Sequence, residues 1–350
     1  MGMMSKRWAK LAGVAVLAMA IAGCGGGDTP KKDAGADGDK LVVYTARSEQ
    51  LNNLVIENFQ KDTGIKVEVV VAGTGPLLKR VESEQGNPGG DIFWAADETM
   101  LSSKKELFEQ YVSPENANML PAFQNKSGYF TPAFADPTVL IVNKDLAQRP
   151  ISSFSDLLNP ELRGKIAMGD PANSSSAFQS LMAMLYAHGK NNDPMSPEAW
   201  EFVDRFIQNV DGKFLNSSGA VHKGVADGEY TVGLTWEDPA ANYVKNGAPV
   251  EVVFPSEGAI FPGESVQIIK GARHIENAKK FVDYMLSEKV QNMVGETLTV
   301  RPLRKGAKLA DYMKPQDEIR MFANYDENWV AEHKPEIVAE WNRHLENSLQ

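Results

Sequence analysis

Residues Leu41–Val71 read LVVYTARSEQLNNLVIENFQKDTGIKVEVVV, and the order of patterns in them decides the fold class. Leu41-Val-Val-Tyr44 is an apolar run of strand length. Apolar residues then return at Leu51, Leu54, Val55, Ile56 and Phe59, the three-and-four spacing of one helix face. Thr63-Gly64 stops that helix, because glycine accepts the left-handed backbone with which many helices end. Lys66-Val-Glu-Val-Val-Val71 is the next strand, rich in β-branched valine. Strand, helix, strand in close succession implies a parallel α/β sheet, with ligands expected at the carboxyl ends of its strands.

The pattern continues on both sides of this stretch. Pro76 can open a helix running to Gln85, and Asp91-Ile-Phe-Trp94 makes a third strand. A second series begins after Thr138–Val142. It holds a strand at Lys165–Met168, helices at Ser175–His188 and Pro197–Gln208, and a strand at Lys213–Leu215. A helix over Gly219–Ala226, a strand at Tyr230–Leu234 and a helix over Pro239–Lys245 follow. Val250–Phe254 and Ser265–Ile269 are further strands, and Ile275–Leu286 and much of Glu318–Leu345 read as helical. Two α/β lobes are the economical reading. Residues 41–135 with 264–310 form lobe 1, 136–263 form lobe 2, and 311–350 are C-terminal helices.

Composition excludes several classes. The chain has 350 residues, 43% hydrophobic and 23% charged, enough to bury a core and unlike a disordered or multi-span membrane protein. Its net charge of −10 argues against a nucleic-acid partner, whose phosphates need a basic face. Residues 1–23 have basic Lys6, Arg7 and Lys10, an apolar run from Leu11 to Ala22, and then a glycine, the layout of a secretory signal peptide. Ile21-Ala22-Gly23-Cys24 resembles a bacterial lipobox, in which Cys24, the only cysteine, becomes the lipidated first residue. Residues 24–40 then read as the lipidated Cys24 and a flexible tether rich in Gly, Asp and Lys. The expected location is the extracytoplasmic side of the cell envelope, held to the membrane by lipid.

Several segments resemble one family. They are VVYTARSEQ with FQKDTGIKVEVV, GDPANSSSAF, VHKGVADGEYTVGLTWED, PSEGAIFPGESVQIIKGARHIENAKKFVDYMLS, and RPLR near residue 301. Together they are similar to the solute-binding proteins of ABC importers, in the branch holding ferric-ion, phosphorylated-sugar and 2-aminoethylphosphonate binders. The resemblance implies a two-lobed periplasmic-binding-protein fold of type II, with chain crossings near Phe134–Pro137 and Pro262–Ser265 and ligand in the cleft. It implies a non-enzymatic monomer that delivers solute to permease and ATPase subunits. The expected solute is a sugar phosphate or 2-aminoethylphosphonate; the alternative is ferric iron or an iron–anion complex.

The candidate binding residues follow from both readings. Arg47 and Ser48 follow the first strand, Thr74 the second, Ser174, Ser175 and Ser176 precede one helix and Asn216 another. Helix N-termini offer unpaired N–H groups and a positive dipole end to an anion. The competing reading of each is plain N-capping. Arg47 is either a forked anion donor or a solvated surface side chain. In ferric members the residues matching Ser174–Ser176 and Asn216 hold an anion, and the resemblance extends that role here. The His, Glu and two Tyr of the ferric site correspond to Ser48, Ala96, Glu237 and Asp238. Glu237 and Asp238 can meet sugar hydroxyls or an ammonium, or serve the dipole of the helix they open. Trp236 can stack on a ligand or fill core. Glu257 resembles a sugar-hydroxyl contact, or is a turn acid. No Walker-type loop, nucleophile elbow or metal-ligand spacing appears, so no cofactor is expected.

Overall fold

A computed structural model describes residues 38–348; the expected signal peptide, Cys24 and most of the tether lie outside them. The chain runs β1 (Lys40–Thr45), α1 (Glu49–Thr63), β2 (Lys66–Val71), α2 (Thr74–Ser83), β3 (Ile92–Asp97), α3 (Glu98–Leu101) and β4 (Thr131–Ala135). It continues with β5 (Thr138–Asn143), β6 (Ile166–Ala167), α4 (Ser175–His188), α5 (Pro197–Val210), α6 (Ser218–Ala226), β7 (Val232–Trp236), α7 (Glu237–Lys245) and β8 (Val250–Val253). It ends with β9 (Gly263–Ile268), α8 (Ile275–Leu286), α9 (Glu288–Thr297), β10 (Arg301–Pro302) and α10 (Glu327–Ser348).

Local chemistry explains the boundaries. Ser48 caps α1 by accepting from Leu51 N–H at 3.4 Å, and Gly64 ends it at φ 74° with its N–H on Gln60 O. The helix then buries Leu51, Val55, Ile56 and Phe59 against the first sheet. Parallel pairing of β1 with β2 and with β3 follows, as the intervening helices require.

The six strands of that sheet lie in the order β10-β4-β9-β3-β1-β2. It is mixed, which corrects the expectation of a parallel sheet. β9 returns from the second sheet without a crossover helix and lies antiparallel to both β3 and β4. The second sheet, β6-β7-β5-β8, pairs β5 antiparallel to β7 and β8. The expected strand at Lys213–Leu215 shrinks to one bridge, Gly169 to Leu215, because Gly212 at φ 67° and the Ser217 cap of α6 leave it no length.

The chain passes between sheets twice. Asp136 and Pro137 link β4 to β5, and Phe254–Pro262 links β8 to β9. The second link lies ahead of the expected Pro262–Ser265, since Gly263 already pairs with Ala135. Each sheet has its own core, around Trp94, Phe134 and Phe281 in one and Leu140, Leu181 and Phe206 in the other. In the tail, helix begins at Glu327 rather than Glu318, and α10 buries Val330, Ile337 and Trp341 in the second core. Among the described residues no helix is long and apolar enough to cross a membrane.

Candidate functional site

The carboxyl ends of the parallel strands meet the starts of helices from the other sheet around one cavity of about 240 Å³. Arg47 follows β1, Thr74 opens α2, and Ala95 and Ala96 end β3, while Pro262 and Glu264 come from the start of β9. From the second sheet come Ser175 and Gln179 of α4 and Trp236 at the end of β7, and Asp136 enters from the first link. Larger recesses exist, about 680 Å³ beside Arg304 and Pro315 and about 500 Å³ beside Glu257 and Phe322. Neither draws on both sheets. The smaller cavity is where an α/β ligand site belongs.

Its polar groups are of two kinds. The first favours anions. α2 starts behind Gly73, which has no side chain to cap it, and Thr74 Oγ1 donates to Ala95 O at 2.6 Å. The N–H groups of Thr74 and Gly75 at the start of α2 therefore have no side-chain cap, and Thr74 lines the cavity. In α4, Ser174 is the cap, accepting from Ala177 N–H at 3.4 Å, with Ser176 Oγ 3.1 Å from its own oxygen. Ser176 is buried, and Ser175 is the exposed serine of the three that lines the cavity. Arg47 is ion-paired to Glu264, while its Nε is buried without a hydrogen-bond partner. Gln179 Oε1 accepts from Tyr325 O–H at 2.8 Å, leaving the amide N–H groups as donors.

The second kind is acidic. Asp136 Oδ1 accepts from Asp238 N–H at 2.8 Å and so caps the start of α7. Burial, and after it the charges of Asp238, Glu264 and Glu237, push the Asp136 carboxyl well above the usual range. Asp238 is also raised by burial, against the opposing Thr299 hydroxyl, which donates to its Oδ1. Glu237 is buried beside Arg301, which donates from Nε to Oε2 at 2.7 Å and from Nη2 to Oε1. Burial outweighs that fork and holds Glu237 above the usual range.

Of the ten expected contacts, the cavity gathers Arg47, Thr74 and Ser175. Ser48 is the cap of α1. Asn216 is exposed beside Ser217, which caps α6 by accepting from Ala220 N–H at 3.2 Å. Glu237 is bound to Arg301 and Asp238 to Thr299, so neither carboxylate lines the cavity. Glu257 accepts from the N–H groups of Phe154 and Ser155, each at 3.2 Å, and lines another recess. Asp136, Gln179 and Glu264 were missed. The only sequence signal for Asp136 was its place in the Ala135-Asp-Pro-Thr138 crossing.

A family model described as bacterial extracellular solute-binding protein matches residues 55–321. The spermidine/putrescine-binding periplasmic protein of Salmonella typhimurium is 27% identical over 274 residues, 75% of this chain and 77% of that one. Iron uptake protein A1 of Synechocystis sp. is 26% identical over 313 residues, 85% of each chain. The solved periplasmic binding protein AfuA of Actinobacillus pleuropneumoniae, with fructose-6-phosphate bound, is 23% identical with a TM-score of 0.70. That likeness covers 88% of this chain and 98% of that one, and it is a likeness of fold. The Salmonella typhimurium relative and AfuA are by name periplasmic binding proteins. On these grounds the chain belongs to the bacterial extracellular solute-binding proteins and is the solute-binding component of an ABC importer.

Proposed function

We propose that the solute is small and phosphorylated or a phosphonate, held between the lobes and handed to a membrane permease. One observation carries the reading: Thr74 and Ser175, each in the first turn of a helix from a different sheet, line the same cavity together with Arg47. A tetrahedral anion there draws on open N–H groups from both sides. Contacts to both lobes favour the closed form by the difference in affinity between closed and open. The cavity is below the roughly 300–1,000 Å³ usual for drug-sized ligands, which suits a small solute.

Ser175→Asp places a carboxylate at that helix start and is expected to abolish binding. A thermal-shift and calorimetry panel of hexose phosphates, 2-aminoethylphosphonate and Fe(III) with phosphate reads the result. Unchanged affinity in S175D for whichever phosphorus compound binds removes the anion assignment. Ferric binding has less support, because Ser48 and Ala96 replace two ligands of that design and Glu237 and Asp238 are held by Arg301 and Thr299. Among the described residues no three or more His, Cys, Asp or Glu side chains converge as a metal site.

The rest of the reading is proposed with it. Lobe 1 is 41–135 with 264–310, lobe 2 is 136–263, and 311–350 completes the fold. The protein acts as a non-catalytic monomer serving permease and ATPase subunits. Cleavage before Cys24 leaves it lipid-anchored. Cys24→Ala is expected to move the protein from the membrane to the soluble fraction; unchanged membrane association would remove the anchor.

A further inference from the structure

We infer that the solute carries an ammonium group as well as its phosphorus oxyanion, and that Asp136 and Glu264 select for it. This rests on the anion reading above and narrows it to zwitterions.

The charges lining the cavity do not suit a plain anion. Arg47 is its one cationic side chain among the described residues, and Glu264 already holds it. Asp136 and Glu264 are both carboxylates in the lining. Behind them, Glu237 is matched by Arg301 and Asp238 by Thr299. Asp136 has no such match. Its Oδ1 accepts one backbone N–H, and Oδ2 has no hydrogen bond among the described residues.

Capping of α7 accounts for Oδ1 and leaves Oδ2 without a role, in a residue that lines the cavity. An oxyanion that recruits Arg47 competes with Glu264 for it. The newcomer then sits beside two carboxylates with no added positive charge, an unfavourable arrangement in a partly desolvated cleft. A zwitterion resolves both deficits. Its oxyanion takes Arg47 and the first turns of α2 and α4, and its ammonium takes the carboxylates.

Trp236 lies in the same lining, and an aromatic face attracts a cation. A pure diamine fares worse than the zwitterion, since Arg47 and two helix N-termini oppose it. The raised Asp136 carboxyl agrees with this: burial is its first cause, and the negative charges of Asp238, Glu264 and Glu237 add to it.

The test is calorimetry on the full chain with 2-aminoethylphosphonate, n-propylphosphonate, which exchanges the ammonium for a methyl, and 1,4-diaminobutane. The aminophosphonate is expected to bind about 100-fold tighter than propylphosphonate, the scale of a desolvated charge pair. Asp136→Asn keeps an oxygen for the α7 cap. It is expected to weaken the aminophosphonate about tenfold or more and leave propylphosphonate unchanged or tighter. Glu264→Gln, which frees Arg47, tests the second acid in the same way. Equal wild-type affinity for the two phosphonates overturns the ammonium and leaves the anion reading standing. Equal loss of both in D136N overturns the selective role of Asp136. Binding of neither phosphonate overturns the ammonium inference and leaves the hexose phosphates of the panel to decide the anion reading; tighter binding of the diamine overturns both.

Discussion

Glu237 and Arg301 show how far a residue's role can lie from its local sequence. Read alone, Glu237 opens a helix directly after Trp236, and nothing near it announces a cation. Its partner lies 64 residues away on β10, and the two meet as a buried fork across the sheets. Losing one member of such a pair leaves the other charge buried and unmatched, a cost of about 3–5 kcal/mol. Glu237→Ala is expected to lose that much in urea unfolding. Replacing both residues with apolar ones of similar volume is expected to recover most of it, since burying the pair is itself expensive. A loss below about 1 kcal/mol in E237A would return the carboxylate to the candidate ligand contacts.

At the scale of elements, legibility follows how local the determinant is. α4 was readable to the residue, Ser175–His188, because its cap, its apolar run and the glycine beyond it are contiguous. β2 was equally plain. β4 was not, since all of Thr131–Ala135 is buried and the run has no polar alternation. α9 was missed for another reason: EKVQNMVGET carries a glycine and few apolar residues, and it is held by burial of Val290 and Val294 in the core of the first sheet. Strand direction also escaped, because the antiparallel entry of β9 depends on a link through the second sheet. The site divides in the same way. Helix starts were legible as anion donors from their Ser, Thr and Gly residues. The carboxylates that share the cavity were not, because only the fold brings Asp136 and Glu264 to Arg47.

The whole molecule concentrates its unfavourable charge where the lobes are joined. Asp136 lies on the first link, and Glu237 and Asp238 open the helix packed against it. All three sit above the usual carboxylate range, with burial the first cause in each. The folded chain thus keeps protons that the unfolded chain releases near pH 4. Stability from these groups is fully present below about pH 4 and is lost as pH rises through their raised values. Glu115, lowered by the hydrogen bond from Arg304, and Asp62, lowered by that from Lys289, act oppositely. Their contribution is present above the ordinary carboxylate value and is lost in acid. The wild-type profile sums both kinds, so a difference profile is needed to see Asp136. Asn at 136 retains the cap to Asp238 N–H and cannot ionise. The unliganded D136N protein is therefore expected to gain melting temperature relative to wild type as pH rises from 4 to 7, with little difference at pH 4. A gap that stays constant across that range would mean that Asp136 titrates alike folded and unfolded, and that Asp238, Glu237 and Glu264 do not act on it.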